Sequence, residues 1–87
     1  MMNIKEELSK LNNWALNENQ IEKEFIFKDF HDAIAFIVKI SIEAERINHH
    51  PEIYNVYNKV RIILTTYNIG RLSELDFALA KFIDNKI

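Results

Sequence analysis

The most constraining feature of the sequence is a helical pattern from Asp29 to about Ile47, too apolar for a single stripe and closed off by Pro51. Asp29 suits the N-cap, because a short carboxylate can accept from the free backbone N–H groups of a first helical turn. Phe30, Ala33, Ile34, Ile37, Ser41, Ala44 and Ile47 share one face, and Phe36, Ile40, Val38 and Ile42 extend the apolar surface round the cylinder. A helix of this kind asks for burial on two sides. A chain of 87 residues buries only about 60–65% of the surface its unfolded form exposes, so its own core is thin. The second side therefore points to another subunit, or else to a wide core face in a monomer. Pro51 cannot continue the helix, and it biases His50 toward extended geometry.

Shorter elements flank this helix. Asn3-Ile4-Lys5-Glu6 resembles an N-cap with Glu at the third helical position, and Ile4, Leu8 and Leu11 recur at helical spacing up to Asn12-Asn13. Trp14-Ala15-Leu16 begins an extended segment, Glu18-Asn19-Gln20 reads as a turn, and Ile21 to Lys28 alternates with period two. Ile21, Phe25 and Phe27 share a face with Lys23, so the two segments predict a hairpin. After Pro51, Tyr54–Tyr57 and Val60–Tyr67 predict a second hairpin with Asn58-Lys59 as its turn. In its second strand Val60, Ile62, Leu64 and Thr66 point one way, and Arg61, Ile63, Thr65 and Tyr67 the other. Ser73-Glu74-Leu75-Asp76 resembles a capping box with Asp in place of Glu, and Leu75, Ala78, Leu79, Phe82, Ile83 and Lys86 trace a last helix. The order α-β-β-α-β-β-α implies a single two-layer α+β domain over residues 1–87. It has a four-stranded antiparallel sheet with helices on one face, and its other face is more solvated or lines a site.

Several function classes are excluded by composition. There is no cysteine, which removes disulfides, thiolate metal sites and cysteine nucleophiles, and fits a cytoplasmic protein. No apolar run reaches the roughly 18 residues a bilayer span requires. The run Met1 to Glu7 is too acidic and polar for a signal peptide. A net charge of −2 argues against direct nucleic-acid binding. One glycine leaves no phosphate-binding loop and no nucleophile elbow around Ser9, Ser41 or Ser73.

Chemistry concentrates at His49-His50. These adjacent histidines fall where the helix gives way to an extended segment, and imidazole alone titrates unperturbed near neutral pH, as proton transfer in both directions requires. His31, beside Asp29 and Asp32 in a first helical turn, reads as a solvated surface residue. A metal reading would place Glu45 and His49 on one helical face, four residues apart. Zinc usually takes three protein ligands, no further ligand with the right spacing stands nearby, and no metal is expected.

The string Glu45-Arg46-Ile47-Asn48-His49-His50-Pro51-Glu52 is followed by Tyr54-Asn55-Val56-Tyr57-Asn58-Lys59-Val60, Leu64-Thr65-Thr66 and Gly70-Arg71-Leu72-Ser73-Glu74-Leu75-Asp76. Together these resemble the signature of the pterin-4a-carbinolamine dehydratases. Phe27-Lys28-Asp29-Phe30 and Trp14 match the same family upstream, so the resemblance runs from about Trp14 to Ile83. It implies the α+β fold already read from the pattern, and homodimers or homotetramers built through sheets and helices. It also implies a reaction: a 4a-hydroxytetrahydropterin loses water to give the quinonoid dihydropterin, in tetrahydropterin recycling, with the pterin as substrate and no cofactor.

Carried over by position, His49 and His50 take part in acid–base catalysis and pterin contact. Pro51, Thr66, Tyr67, Asn68 and Ile69 line the pterin, and Glu45, Tyr57 and Asp76 support from behind. Each supporting residue has a plainer explanation: a helix cap for Asp76, solvation for Glu45, cross-strand packing for Tyr57. The chain departs from the family at Tyr67, where a third histidine is usual, and at Ile53, where an aromatic is common. A phenol with a reference pKa of about 10 exchanges protons poorly at neutral pH. The departure leaves open a non-catalytic alternative, a pterin-binding or oligomerising interaction module, since family members also serve as dimerisation cofactors of a transcription factor.

Overall fold

The computed structural model describes residues 2–87; Met1, the first residue of the run read above as too polar for a signal peptide, lies outside them. In chain order the elements are α1 (Ile4–Ser9), β1 (Ala15–Asn17), β2 (Gln20–Ile26), α2 (Phe30–Ile47), β3 (Glu52–Val56), β4 (Lys59–Leu64), a 3-10 turn at Tyr67–Ile69, and α3 (Glu74–Asp84). The expected α+β order holds, and the four antiparallel strands lie in the order β1-β2-β4-β3. Among the described residues no helix is long and apolar enough to cross a membrane.

Register decides which face is the core. Ile21 pairs with Leu64, Lys23 with Ile62 and Phe25 with Val60, so period two puts Ile21, Phe25, Val60, Ile62 and Leu64 on one face, where all five are buried. Ala33, Phe36 and Ile40 from α2, and Phe77, Leu79, Ala80 and Ile83 from α3, join the same cluster, with Ile4 and Leu8 of α1 packed at its margin. Phe36 meets Phe25 and Phe27 at centroid distances of 5.0 and 4.8 Å, within the range of favourable aromatic pairs. The opposite face carries Glu22 beside Ile63, Glu24 beside Arg61 and Tyr54 beside Arg61.

Lys23 stands on the core face, yet it is paired. Its Nζ lies 2.9 Å from Asp84 Oδ1, which also accepts from Trp14 Nε1 at 3.0 Å, while Oδ2 accepts the Asn12 backbone N–H at 3.0 Å. A carboxylate in the last turn of a helix is opposed by the helix dipole. Here three donors offset that and fasten the end of α3 to β2 and to the segment before β1.

Several element ends differ from the sequence expectation, each for a local reason. The first helix stops at Ser9, before Asn12-Asn13, because the Asn12 N–H is taken by Asp84 and Asn13 adopts a positive φ of 62°. Strand β2 ends at Ile26, ahead of Lys28, where Phe27 turns to exchange hydrogen bonds with Asn58. The β3–β4 turn is Tyr57-Asn58, one residue earlier than Asn58-Lys59, since Val56 pairs with Lys59. Tyr57, and not the asparagine, takes the positive φ of 52°. Asn58 instead accepts the Phe27 N–H at 2.8 Å and donates its amide to the Phe27 carbonyl at 2.9 Å, which ties the hairpin to the end of β2. Strand β4 ends at Leu64 and not at Tyr67, because the Thr66 N–H turns to the Arg71 carbonyl and the Thr66 carbonyl accepts from Ile69 and Gly70. Gly70 closes that turn at φ 66°, a conformation that suits glycine.

Helix α2 is apolar on two sides, but the partition differs from the expected one. Ala33, Phe36, Ile40 and Ala44 are buried, whereas Phe30, Ile34, Val38 and Ile42 recur every four residues along an exposed stripe. Three-dimensional packing selects Phe36 and Ile40 for the core and leaves Phe30 and Ile34 outside it, which the run of apolar letters did not separate.

Candidate active site

The site begins at the end of α2. Asn48 adopts the left-handed conformation (φ 52°, ψ 46°), its N–H donates to the Glu45 carbonyl, and the His49 N–H reaches back to the Ala44 carbonyl at 3.0 Å. This pair of bonds is a Schellman end, built on one of the few non-glycine residues that tolerate positive φ. It turns the chain so that His49 folds back over the protein while His50 stays outside. Pro51 then prevents the helix from resuming and delivers the chain to β3 at Glu52.

His49 is buried, and its Nε2 lies 2.6 Å from Oδ1 of the fully buried Asp76. The other oxygen of Asp76 accepts the Ser73 backbone N–H at 2.9 Å and the Thr66 hydroxyl at 2.7 Å. Thr66 Oγ1 in turn lies 2.6 Å from Ser73 Oγ. Since Thr66 donates its only proton to Asp76, the Ser73 hydroxyl is the donor to Thr66. Among the described residues no buried side-chain nitrogen or oxygen is left without a partner. A carboxylate only accepts, so this geometry puts a proton on Nε2 of His49 and leaves Nδ1 to gain or lose one.

Asp76 thus holds two positions at once. It is the third residue of α3, completing a capping box with Ser73, and it is the hydrogen-bond partner of the histidine. Capping and orientation, which stand as alternatives in the sequence, are satisfied by the two oxygens of one carboxylate.

His50 has a different setting. It is exposed, and its Nε2 lies 2.7 Å from Oε1 of Glu45, itself largely in solvent. The sequence spacing suggested that Glu45 would stand beside His49. Because the helix ends at Ile47 and Asn48 reverses the chain, Glu45 meets His50. The two adjacent imidazoles are therefore each held through Nε2 by a carboxylate, one buried and one in water.

Of the remaining candidates, Thr66 is part of the buried network, and Pro51 is half-buried between His50 and Glu52. Asn68 and Ile69 line a cleft with Thr66, Arg71, Leu72 and Ser73. Tyr67 is exposed and donates its hydroxyl to Glu52 Oε2, while Tyr54 donates to Oε1 of the same carboxylate at 2.9 Å. Those two hydroxyls hold the Glu52 carboxyl below the usual carboxylate range, and the Tyr67 hydroxyl is pushed up to about 12, chiefly by the bond to Glu52. Tyr57 is not brought to the cluster: it is exposed at the tip of the β3–β4 hairpin, and it does not pack across the strands either.

Asn48, Glu52 and Tyr54 complete the arrangement without having been singled out in the sequence, whereas Ser73 stands there as the cap of the last helix. For Asn48 the signal was available, an asparagine directly after the last apolar residue of a helical pattern. For Glu52 and Tyr54 the signal was weaker, two polar groups two residues apart on one face of a strand. Asp29, His31 and Asp32 bring three ligand-type atoms within 4.8 Å of one another, but Asp29 already caps Asp32 and the start of a helix disfavours a cation.

The chain resembles known proteins over nearly its whole length. The chain is 47% identical over 81 residues to a protein of Sulfurisphaera tokodaii whose provisional name places it among the pterin-4-alpha-carbinolamine dehydratases, covering 93% of this chain and 87% of that one. A similarly named protein of Rhizobium leguminosarum is 45% identical over 83 residues, covering 93% and 82%. The crystal structure of a transcriptional coactivator/pterin dehydratase from Brucella Melitensis superposes with a TM-score of 0.91 at 33% identity, over 94% of this chain and 89% of that one. A pterin dehydratase-like protein identified as a RuBisCO assembly factor in the alpha-carboxysome shares the fold, with a TM-score of 0.68 at 22% identity over 84% of each chain. The family model for pterin 4 alpha carbinolamine dehydratase matches residues 2–86, and the chain belongs to that family.

Proposed function

We propose that the protein dehydrates a 4a-hydroxytetrahydropterin to the quinonoid dihydropterin, in tetrahydropterin recycling, with His49 and His50 exchanging the protons. The observation that carries this reading is the pair of adjacent imidazoles at the end of α2, each held through Nε2 by its own carboxylate. In the reaction the C4a–O bond breaks and its electron pair leaves with oxygen. One proton must reach that oxygen to release water, and one must leave a ring nitrogen so that its N–H electrons form the new C=N bond. One free Nδ1 can supply the first proton and the other can take the second, so the pair keeps its total charge while its members exchange protonation states, and proton exchange through solvent resets them. Pro51, Asn68 and Ile69 would flank the ring, with Tyr67 at its edge. Proton transfer alone completes the chemistry, and no cofactor is called for. The test is to generate the carbinolamine in situ and follow dehydration at neutral pH with and without the protein. Acceleration is expected; its absence would sink the enzymatic reading.

A second reading, a pterin-binding or oligomerising interaction module without turnover, is favoured by one observation. Tyr67, where the family usually has a histidine, directs its proton to Glu52. We also propose that the protein works in the cytoplasm as a homodimer or homotetramer, with the exposed Phe30-Ile34-Val38-Ile42 stripe covered by another copy. Contiguous apolar surface of that kind marks interaction sites. Light scattering is expected to give the mass of a dimer or tetramer, and a monomer at micromolar concentration would overturn this assignment.

A further inference from the structure

We propose that Glu52 is a positioning residue for ligand recognition: by accepting the hydrogen bond of the Tyr67 hydroxyl it fixes the phenol oxygen as a hydrogen-bond acceptor for an N–H of the bound pterin. This rests on the pterin-binding reading above. Glu52 is the first residue of β3, two residues after His50, and Tyr67 opens the 3-10 turn beyond β4. Glu52 pairs with Ile63 and Tyr54 with Arg61, which puts Glu52, Tyr54 and Arg61 on the sheet face away from the core. The Arg61 guanidinium lies 4.8 Å from the centre of the Tyr54 ring, in the range of a cation–π contact, and completes the polar surroundings of Glu52.

Each oxygen of Glu52 is used by one phenol, Oε1 by Tyr54 and Oε2 by Tyr67. A phenol has one proton, so the part of Tyr67 left for a ligand is its lone pairs. Bonding to a carboxylate makes that oxygen a stronger acceptor. Pterins present an amino group and ring N–H groups at their edge, which are the donors such an acceptor reads. A histidine in this place can donate, accept or transfer a proton. The Tyr67–Glu52 pair can only accept, because the single phenol proton is committed to Glu52 Oε2. The substitution therefore moves this position from proton exchange to recognition and leaves proton transfer to the two histidines.

The probe is a tetrahydropterin lacking the 4a-hydroxyl, with its Kd measured for the wild type, Tyr67→Phe, Glu52→Gln and the double variant. The glutamine keeps the shape but is neutral and offers one acceptor oxygen in place of two, so Tyr67 loses its charged acceptor whichever way the amide turns. Tyr67→Phe and Glu52→Gln are each expected to weaken binding roughly 3- to 10-fold, the scale of one neutral hydrogen bond. The double variant should bind no worse than Tyr67→Phe. If turnover is present, KM should rise with kcat little changed. A second readout needs no ligand: with carbon-labelled tyrosine, the NMR titration of Tyr67 should move down toward about 10 in Glu52→Gln. Unchanged affinity in Glu52→Gln, or additive losses in the double variant, would overturn the role of Glu52 while leaving the pterin reading intact. No binding by the wild type would overturn both, and an intact shift of the Tyr67 titration would then assign the failure to the pterin reading.

Discussion

His49→Ala is expected to slow dehydration about 10²–10⁴-fold, the range that a positioned general acid or base contributes. His50→Ala is expected to slow it less, roughly 10–100-fold, at the low end of such effects. The difference follows from the partners. His49 is buried and fixed through Nε2 by a carboxylate that is itself held by a backbone N–H and a hydroxyl. Its free nitrogen is therefore held in one orientation, which a mobile water does not reproduce. His50 is exposed and paired with an exposed Glu45, an arrangement worth little in stability and easily exchanged for solvent. Water can partly substitute for an exposed imidazole as proton carrier. For the same reason Glu45→Gln should change the rate only a few-fold, consistent with the small energies of exposed ion pairs. Steady-state rates on the carbinolamine check all three. Equal indifference to both histidine changes would remove them from the mechanism, and a larger effect at His50 would reverse the assignment of roles.

Much of the fold was legible because periodicity and caps report local physics. The period-two alternation at Ile21–Phe25 and Val60–Leu64 found the core face of the sheet, and Asp29 and Ser73 marked both major helix starts. What escaped depends on contacts between residues distant in sequence. Asp84 lies 61 residues from Lys23 and 70 from Trp14, so no local pattern predicts that it ends α1 and ties down α3. The hairpin turn lies one residue earlier than the Asn58-Lys59 pattern predicts because Asn58 is recruited by Phe27 across the sheet, which leaves Tyr57 to adopt the positive φ. At the site the residue types were visible but their pairing was not. A helix continued past Ile47 would set Glu45 beside His49, and only the left-handed Asn48 sends that carboxylate to His50.

Asp76 separates stability from catalysis, and two substitutions are expected to give opposite patterns. Asp76→Ala removes the acceptor of His49 Nε2, the Thr66 hydroxyl and the Ser73 N–H together. A buried donor left without a partner costs about 1–3 kcal/mol, and breaking a buried charged network about 3–5 kcal/mol. A domain of this size is stabilised by roughly 4–13 kcal/mol in all, so this variant should be poorly folded at 37 °C or nearly so. Its Tm should fall by at least about 12 °C, since each kcal/mol shifts a domain this small by roughly 4–8 °C. Asp76→Asn keeps the volume, and its amide oxygen can still accept from Ser73 and Thr66. The amide nitrogen then faces His49, where it can only donate. His49 must present a lone pair at Nε2 and carry its proton on Nδ1, the tautomer opposite to the one the carboxylate imposes. A carboxylate-to-amide exchange behind a catalytic histidine lowers kcat about 10⁴-fold in a well-studied triad, while the geometry survives. The asparagine variant is therefore expected to stay folded, with a circular dichroism spectrum like the wild type and a Tm within several degrees of it, yet to lose about 10²–10⁴-fold in dehydration rate. Full activity in Asp76→Asn would reduce Asp76 to a helix cap. An undiminished Tm in Asp76→Ala would mean that the buried network does not hold the start of α3 to the end of α2. The predicted combination, an inactive folded asparagine variant beside an unstable alanine variant, requires that one carboxylate serve the helix and the histidine together.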